Sequence, residues 1–443
     1  MPRFRGGVHP DDHKSPTRHK PIQTLTAPAQ LVFPLLMHAG PQCKPLVEVG
    51  HTVRLGQKIA DAPAGAAHKP AAPIHSSVSG TVSAIEHRPH SSGRSILSIV
   101  VENDGKDTPD PSIAPYGSVG SLTAEHLLGI ARESGLTGLG GAAFPSHAKL
   151  SAAIGKVRAL IINGAESEPY LTADHRVMLE SPEEVIGGVR VLMKILGVSG
   201  AIIAVESNKS DAASALRRTL PRGGGGISVR LLPTRYPYGS EKHLIYAVAG
   251  RRVPPGTLPH QSGALVFNVQ TAMTLHRAVT TGVPLIRRVV TVSGSAVSNP
   301  RNFMVPIGTP FSALFEATGG FRDRPEKIIA GGPLTGVAQH NLGAPVIKGT
   351  SGLLAFTARD VETKEPGVCI RCGKCLSVCP MRLTPCLVYQ SEQADQIEGC
   401  RRLGVQDCLE CCCCSYTCPA RLHLVQSFRT AKRKLVKGGA ARA

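Results

Sequence analysis

The chain has 443 residues, 42% of them hydrophobic, with 47 glycines, 35 prolines, 13 cysteines and no tryptophan. That length exceeds one ordinary core and predicts about three domains, while no apolar run approaches the ~20 residues of a membrane span. The formal net charge is +19, yet aromatics make up only 4% of the chain and no nucleic-acid motif accompanies the charge. An anionic membrane face or an acidic redox partner is therefore expected in preference to a nucleic acid.

Gly6-Gly7-Val8-His9-Pro10 opens a polar, proline-containing arm over residues 1–26. Over residues 27–110, short alternating runs punctuated by glycine, notably 53–60 and 78–85, predict a small β unit. Their pairing resembles a biotinyl- or lipoyl-type hybrid barrel. In such carriers a lysine at a hairpin tip takes the cofactor. Here the connection between Asp61 and Pro73 offers only Lys69 in an Ala/Pro-rich setting, so the unit reads as scaffold.

Residues 111–285 alternate buried strand-like runs (159–163, 201–205, 227–232) with helical spacing (183–196, 212–220). This predicts an α/β layer on a parallel sheet. Three polar, glycine-bearing loops stand out. The first, Gly138-Leu139-Gly140-Gly141-Ala142-Ala143-Phe144-Pro145, contains G-x-G-x-x-A. It follows a helical run, 127–133, whereas the dinucleotide fingerprint follows a strand. Its glycines still let a phosphate approach backbone amides, a plain tight turn being the other reading. The second loop, from Asn163 through Glu166 and Glu168 to Pro169, and the third, from Tyr236 through Gly239 and Glu241 to Lys242, each follow a predicted strand. Ligands in open α/β sheets bind beyond the carboxyl ends of strands.

Residues 286–360 predict a second β-rich unit, with strands at 289–294 and 304–308, a short helix at 311–318, and a glycine-bearing link onward. Residues 361–443 carry C-x2-C-x2-C-x3-C-P twice: Cys369, Cys372, Cys375, Cys379, then Cys408, Cys411, Cys414, Cys418. This is the spacing of bacterial two-cluster ferredoxins. Three close thiolates wrap one iron–sulfur cube, and the fourth, before a helix-starting proline, reaches the other. The crossed rule groups Cys369, Cys372, Cys375 and Cys418, and separately Cys408, Cys411, Cys414 and Cys379. A zinc ribbon would lack the C-x3-C-P endings, and disulfides would need an oxidising compartment for which no secretory signal is visible. Cys412 and Cys413 stand where small residues are expected, as spare thiols or alternative ligands. Cys43, Cys386 and Cys400 are isolated and read as small buried hydrophobes. From Arg421 to Arg442 there are seven Lys or Arg and no acidic residue, a stretch suited to an anionic face or to solubility alone.

Together these motifs resemble the C subunit of the Rnf electron-transport complex over nearly the whole length. The middle is similar to the NADH- and FMN-binding subunit of respiratory complex I, with a β-grasp unit of the SLBB type after the flavin domain. The implied fold is a multidomain α/β chain: arm (1–26), barrel-sandwich hybrid domain (27–110), FMN/NADH-binding domain (111–285), SLBB-like domain and linker (286–360) and an α-helical two-cluster ferredoxin domain with a basic tail (361–443). The resemblance implies a non-covalent FMN held by Gly138, Gly140, Lys149, Asn163, Glu166, Tyr236, Gly239, Glu241, Asn268 and Thr271. NADH would meet Phe144, Glu168 and Glu241. Hydride transfer requires no protein acid or base, so no catalytic residue is assigned. NADH would reduce FMN, and single electrons would pass to two [4Fe–4S] clusters and on to membrane subunits. The implied partners are the other subunits, including a ferredoxin-like Fe–S subunit, and ferredoxin or flavodoxin through the complex. The implied place is the cytoplasmic face of a bacterial inner membrane. Three departures from the complex I pattern stand out: Leu139 for an arginine in the glycine loop, Ala165 for an aspartate, and Val253-Pro254-Pro255-Gly256 without the lysine and phenylalanine that line the nucleotide pocket there. The Rnf relatives share them. A cobalamin-reducing flavoprotein of bacterial microcompartments has the same domain set, though the glycine-rich arm favours Rnf. A non-enzymatic Fe–S scaffold is the reading from another class.

Overall fold

The computed structural model describes residues 4–63, 70–361 and 364–440; Lys69 and Arg442 lie outside the described residues. The N-terminal β unit is two small sheets face to face. One runs Gln30–Pro34, Ser95–Asn103, Gly80–Pro89, Thr52–Val53, and the other Lys44–Pro45, Lys58–Asp61, Ile74–His75. Leu31, Phe33, Val53, Ile59, Val82 and Ile99 are buried in its core. The run 53–60 does not form one strand. Gly56 has φ +81°, and a Cβ there would lie 2.5 Å from Ile113 Cδ1. The chain turns at this glycine and sends its two halves to different sheets.

The central layer is a four-stranded sheet of β1 (Ala159–Gly164), β2 (Ala201–Glu206), β3 (Ile227–Leu232) and β4 (Ala264–Asn268), in the order β3-β2-β1-β4. All three pairings are parallel, and the register sets Asn163 of β1 beside Asn268 of β4. The helices are α1 (Ala124–Glu133), α2 (Ser146–Ser151), α3 (Ala173–Glu180), α4 (Pro182–Leu196), α5 (Ser210–Thr219), α6 (Glu241–Ala249) and α7 (Val269–Thr281). α4 has Pro182 in its first turn with Glu183 and Glu184, and Gly197 as a left-handed C-cap. It lies so close to α7 that a Cβ on Gly188 would sit 1.8 Å from the Ala272 carbonyl.

The next unit is a six-stranded mixed sheet over the helix Phe311–Ala317. Its edge strand, Gln23–Thr24, comes from the N-terminal arm and pairs in parallel with Arg301–Pro306, so the arm is built into the fold. The last unit, from residue 364 on, is helical, with no strand among its described residues. Short helices surround Val388, Cys400, Val405, Val425 and Phe428, and a long terminal helix, α8 (Leu424–Ala440), packs across them. On α8, Arg429 and Lys432 pair with Glu410, and Lys434 with Asp395 and Glu392. Part of the basic tail is thereby committed to the module itself. No helix among the described residues is long and apolar enough to cross a membrane.

Candidate redox site

Three loops meet at the carboxyl edge of β1 and β4. Asn163 donates from Nδ2 to the Gly239 carbonyl at 3.0 Å, and its Oδ1 accepts from the Ala165 amide at 3.0 Å. Gly239 N–H in turn donates to Ser167 Oγ at 3.2 Å. The loop after β1 and the loop before α6 are thus stitched together. The first glycine loop joins them through Leu139 N–H, which donates to Thr271 Oγ1 at 2.9 Å, and through Gly140, whose Cβ position lies 3.4 Å from Asn268 Cβ. Gly138 closes that loop by a backbone bond to Phe144 at 2.9 Å. Lys149 of α2 forms an ion pair with Glu241 in the first turn of α6.

This edge fits a phosphate-bearing cofactor. Gly140, Gly141 and Ala142 lie along the open side of the loop, and their N–H groups have no chain partner among the described residues. A Cβ on Gly141, at φ +110°, would meet nothing within 4 Å. Open amides with a lysine nearby are what an anion requires.

Two acids lie differently from the rest. Glu166 accepts from the amides of Asp174 (2.7 Å) and His175 (3.2 Å), capping α3, so only its remaining lone pairs are free for a sugar-like hydroxyl. Glu168 accepts from the amides of Leu334 (3.1 Å) and Thr335 (3.0 Å) and from the Thr335 hydroxyl. It sits under the 331–335 turn, and burial raises its pKa. Phe144, by contrast, is 40% exposed on the glycine loop, as a stacking ring would be.

Asp174 carries no mark in the sequence that points to this edge. It is partly buried and accepts from Asn268 Nδ2 at 2.6 Å and Gln270 Nε2 at 2.7 Å. Burial and then the Glu166 carboxylate push its pKa up to about 6. The acid fixes the orientation of Asn268 from below.

The cysteines gather on the other side of Tyr236. Cys379, Cys408, Cys411 and Cys414 line one narrow cleft, with Cys412, Cys413 and Phe428. Cys379 has left its own motif to join the second, as the crossing of four-thiolate runs requires. The reciprocal approach is anchored by Gly367 N–H, which donates to the Ala420 carbonyl at 2.9 Å and draws the first motif toward Cys418. Among the described residues no three His, Cys, Asp or Glu side chains converge as ligands of one ion; a cube spreads its thiolates over four separate irons. Cys413 is fully buried and packs with Cys411 in one apolar cluster. Cys43 and Cys400 are buried as expected. Cys386 is not isolated: it is partly exposed and lies beside Cys375. Sequence spacing hides this contact, because the helix Pro385–Gln393 folds back over the first motif.

Tyr236 joins the two regions. It is buried in one apolar cluster with Val8, Cys413, Cys411, Leu334 and Val378, while its neighbour Gly239 faces Asn163.

Comparison with known proteins follows the same division. The RnfC barrel sandwich hybrid domain matches residues 2–106, the Nuo51 FMN-binding domain residues 131–277, and the SLBB domain residues 289–338. The C subunit of the Na(+)-translocating ferredoxin:NAD(+) oxidoreductase complex of Acetobacterium woodii is 42% identical over 434 residues, 98% of this chain and 97% of that protein. The chain belongs to the RnfC family. Two further RnfC proteins agree. The C subunit of the proton-translocating ferredoxin:NAD(+) oxidoreductase complex of Clostridium ljungdahlii is 44% identical over 88% of this chain and 85% of its own. The C subunit of the ion-translocating oxidoreductase complex of Rhodobacter capsulatus is 41% identical over 98% of this chain and 83% of its own. Among solved structures, an NAD+-reducing [NiFe]-hydrogenase in its H2-reduced state aligns over 73% of this chain and 63% of that chain with TM-score 0.49 at 19% identity, too distant to carry an argument.

Proposed function

We propose that this RnfC chain is the NADH-oxidising, electron-input subunit of an ion-translocating ferredoxin:NAD+ oxidoreductase. In this reading it works at the cytoplasmic face of a bacterial inner membrane, beside the complex's other subunits, among them a ferredoxin-like Fe–S subunit. Ferredoxin or flavodoxin is reached through the complex. The observation that carries the reading is the single edge where an open glycine loop, Lys149, Asn163 and Asn268 meet, backed directly by a cysteine-lined cleft.

A bound FMN would supply hydride acceptance from NADH and one-electron release. The chain's own residues do the rest. The amides at 140–142 and Lys149 would balance the flavin phosphate. Asn163, Gly239, Asn268 and Thr271 hold the loops in register, and Asp174 keeps Asn268 turned. Glu166 would offer its spare lone pairs to ribityl hydroxyls while holding α3. Phe144 would stack on the adenine, Glu241 would stand beside the nicotinamide nucleotide, and Glu168 would act through the turn above it. Tyr236 walls the flavin side from the cysteines. The thiolates of Cys379, Cys408, Cys411 and Cys414 would hold an inner [4Fe–4S] cluster, and those of Cys369, Cys372, Cys375 and Cys418 an outer one. We assign the domain limits as given by the sequence: 27–110, 111–285, 286–360 and 361–443, preceded by the arm.

The test is anaerobic purification, a visible spectrum and an NADH titration. A releasable FMN, with flavin and cluster bands both bleached by NADH, is expected. Clusters that dithionite bleaches and NADH does not, with no flavin, would overturn the reading in favour of a passive carrier.

A further inference from the structure

The glycine-rich arm is the one sequence motif to which this function gives no task, and its residues 4–14 run along the redox site. Phe4 packs edge-on against Tyr238 (4.8 Å) and His243 (4.5 Å). Gly7 N–H donates to the Val378 carbonyl at 2.8 Å, next to the ligand-position Cys379. Val8 and Tyr236 exchange backbone bonds at 3.0 and 3.1 Å, and the Val8 side chain lies with Tyr236, Cys411 and Cys413. Asp12 accepts from the Tyr170 amide at 2.8 Å, and His13 stacks on the Tyr170 ring at 4.7 Å. Buried Lys14 then donates to the carbonyls of Glu166 (2.9 Å), Glu168 (2.9 Å) and Leu171.

The chemistry of these residues fits a fixed spacer. Gly6 and Gly7 are both left-handed, at φ +79° and +81°. A Cβ on Gly6 would meet the Cys379 carbonyl at 2.7 Å, and one on Gly7 the Tyr236 carbonyl at 2.4 Å. Side chains are excluded because the arm runs between the two loops with no room on either side. A buried ammonium is costly unless its hydrogens are all used, and Lys14 directs all three to the loop that follows β1.

We propose that residues 4–14 form a strap that sets the gap between the flavin-binding loops and the Cys379, Cys408, Cys411, Cys414 set, with Gly7 and Lys14 as its positioning residues. This rests on the proposed function for what crosses the gap; the strap itself is a statement about three chain segments held together. Gly7 governs the seam between Tyr236 and Val378. Lys14 governs the path of 166–171.

The experiment uses the full-length protein with its cofactors, purified anaerobically, as wild type, Gly7→Ala and Lys14→Met. Two readouts are taken: hydrogen exchange of the segments 166–172, 235–240 and 376–383, and rapid mixing with NADH while the flavin and cluster bands are followed separately. In Gly7→Ala, exchange rises in 235–240 and 376–383. Flavin bleaching by NADH keeps its wild-type rate, and cluster bleaching lags by on the order of tenfold, since small misplacements of reacting groups carry such losses. In Lys14→Met, exchange rises in 166–172 and FMN is held more weakly, with iron content unchanged. Wild-type exchange in all three segments, or cluster bleaching that keeps pace with the flavin in Gly7→Ala, would overturn the strap. If Gly7→Ala does not accumulate, exchange in Lys14→Met decides. A wild-type protein whose flavin NADH does not bleach would refute the proposed function, and the exchange data would still decide the strap.

Discussion

The two cysteine motifs share one spacing and have opposite surroundings. The second motif is walled in. Cys413 and Cys414 are buried, and the set with Cys379 lies against Tyr236, Val8 and α8. The first is laid open: Cys372 is exposed, Val368 and Ile370 are 86% and 67% exposed, and Arg371 and Lys374 stand among them. In the proposed function a repeated motif would supply the same chemistry twice, and the tertiary setting would give each copy a different task. A set enclosed beside the flavin edge suits internal transfer. A set under exposed apolar and basic side chains suits delivery to another protein.

Breaking the supply to both sets gives the largest effect. Glu241→Ala removes the carboxylate paired with Lys149 and should slow NADH-driven bleaching by about tenfold or more, roughly what one charged hydrogen bond is worth. Dithionite should still reduce the clusters fully, and an unchanged rate with NADH would remove Glu241 from the site. The next test separates the sets by stability. Metal binding is folding free energy where ligands are buried. Cys411→Ser should therefore lower the thermal unfolding midpoint by about 5 °C more than Cys372→Ser does, a difference of about 1 kcal/mol in a domain of this size. Equal losses would mean that the burial contrast has no energetic meaning.

A smaller effect is expected at the open face. Lys374→Glu should slow reduction of an acidic one-electron acceptor protein about threefold to tenfold at low ionic strength, with the difference vanishing in high salt. A salt-independent change would argue against docking there. The smallest concerns the footing of the flavin edge. Asp174 holds its proton to about pH 6 in the folded chain, against 3.8 ordinarily. The folded state binds the extra proton between those values, so this group's contribution to stability is full below 3.8 and is lost as pH rises to about 6. Asp174→Asn should flatten the fall of the unfolding midpoint across that window; a midpoint curve identical to wild type would sink the assignment.

Local patterns made much of this legible. The cysteine spacing, the helical period of 183–196 and the apolar runs of β1, β2 and β3 are all visible within short windows. β4 escaped because Ala264–Asn268 runs straight into α7 at Val269 with no turn residue between them; a short apolar run is ambiguous between strand and helix. The site was legible where glycine and asparagine mark loop chemistry. It was not legible where contact is distant in sequence: Asp174 beneath Asn268, Cys386 beside Cys375, and Glu168 under the 331–335 turn. The arm showed only as a motif, since its glycines are explained by the Cys379 and Tyr236 carbonyls, far along the chain.

The order of the two sets is best tested by EPR on Cys372→Ser and Cys411→Ser after reduction with NADH and, separately, with dithionite. The inner-then-outer order predicts that Cys372→Ser retains a cluster signal developed by NADH. It also predicts that Cys411→Ser retains one developed by dithionite alone. An NADH-developed signal in Cys411→Ser, with none in Cys372→Ser, would contradict it.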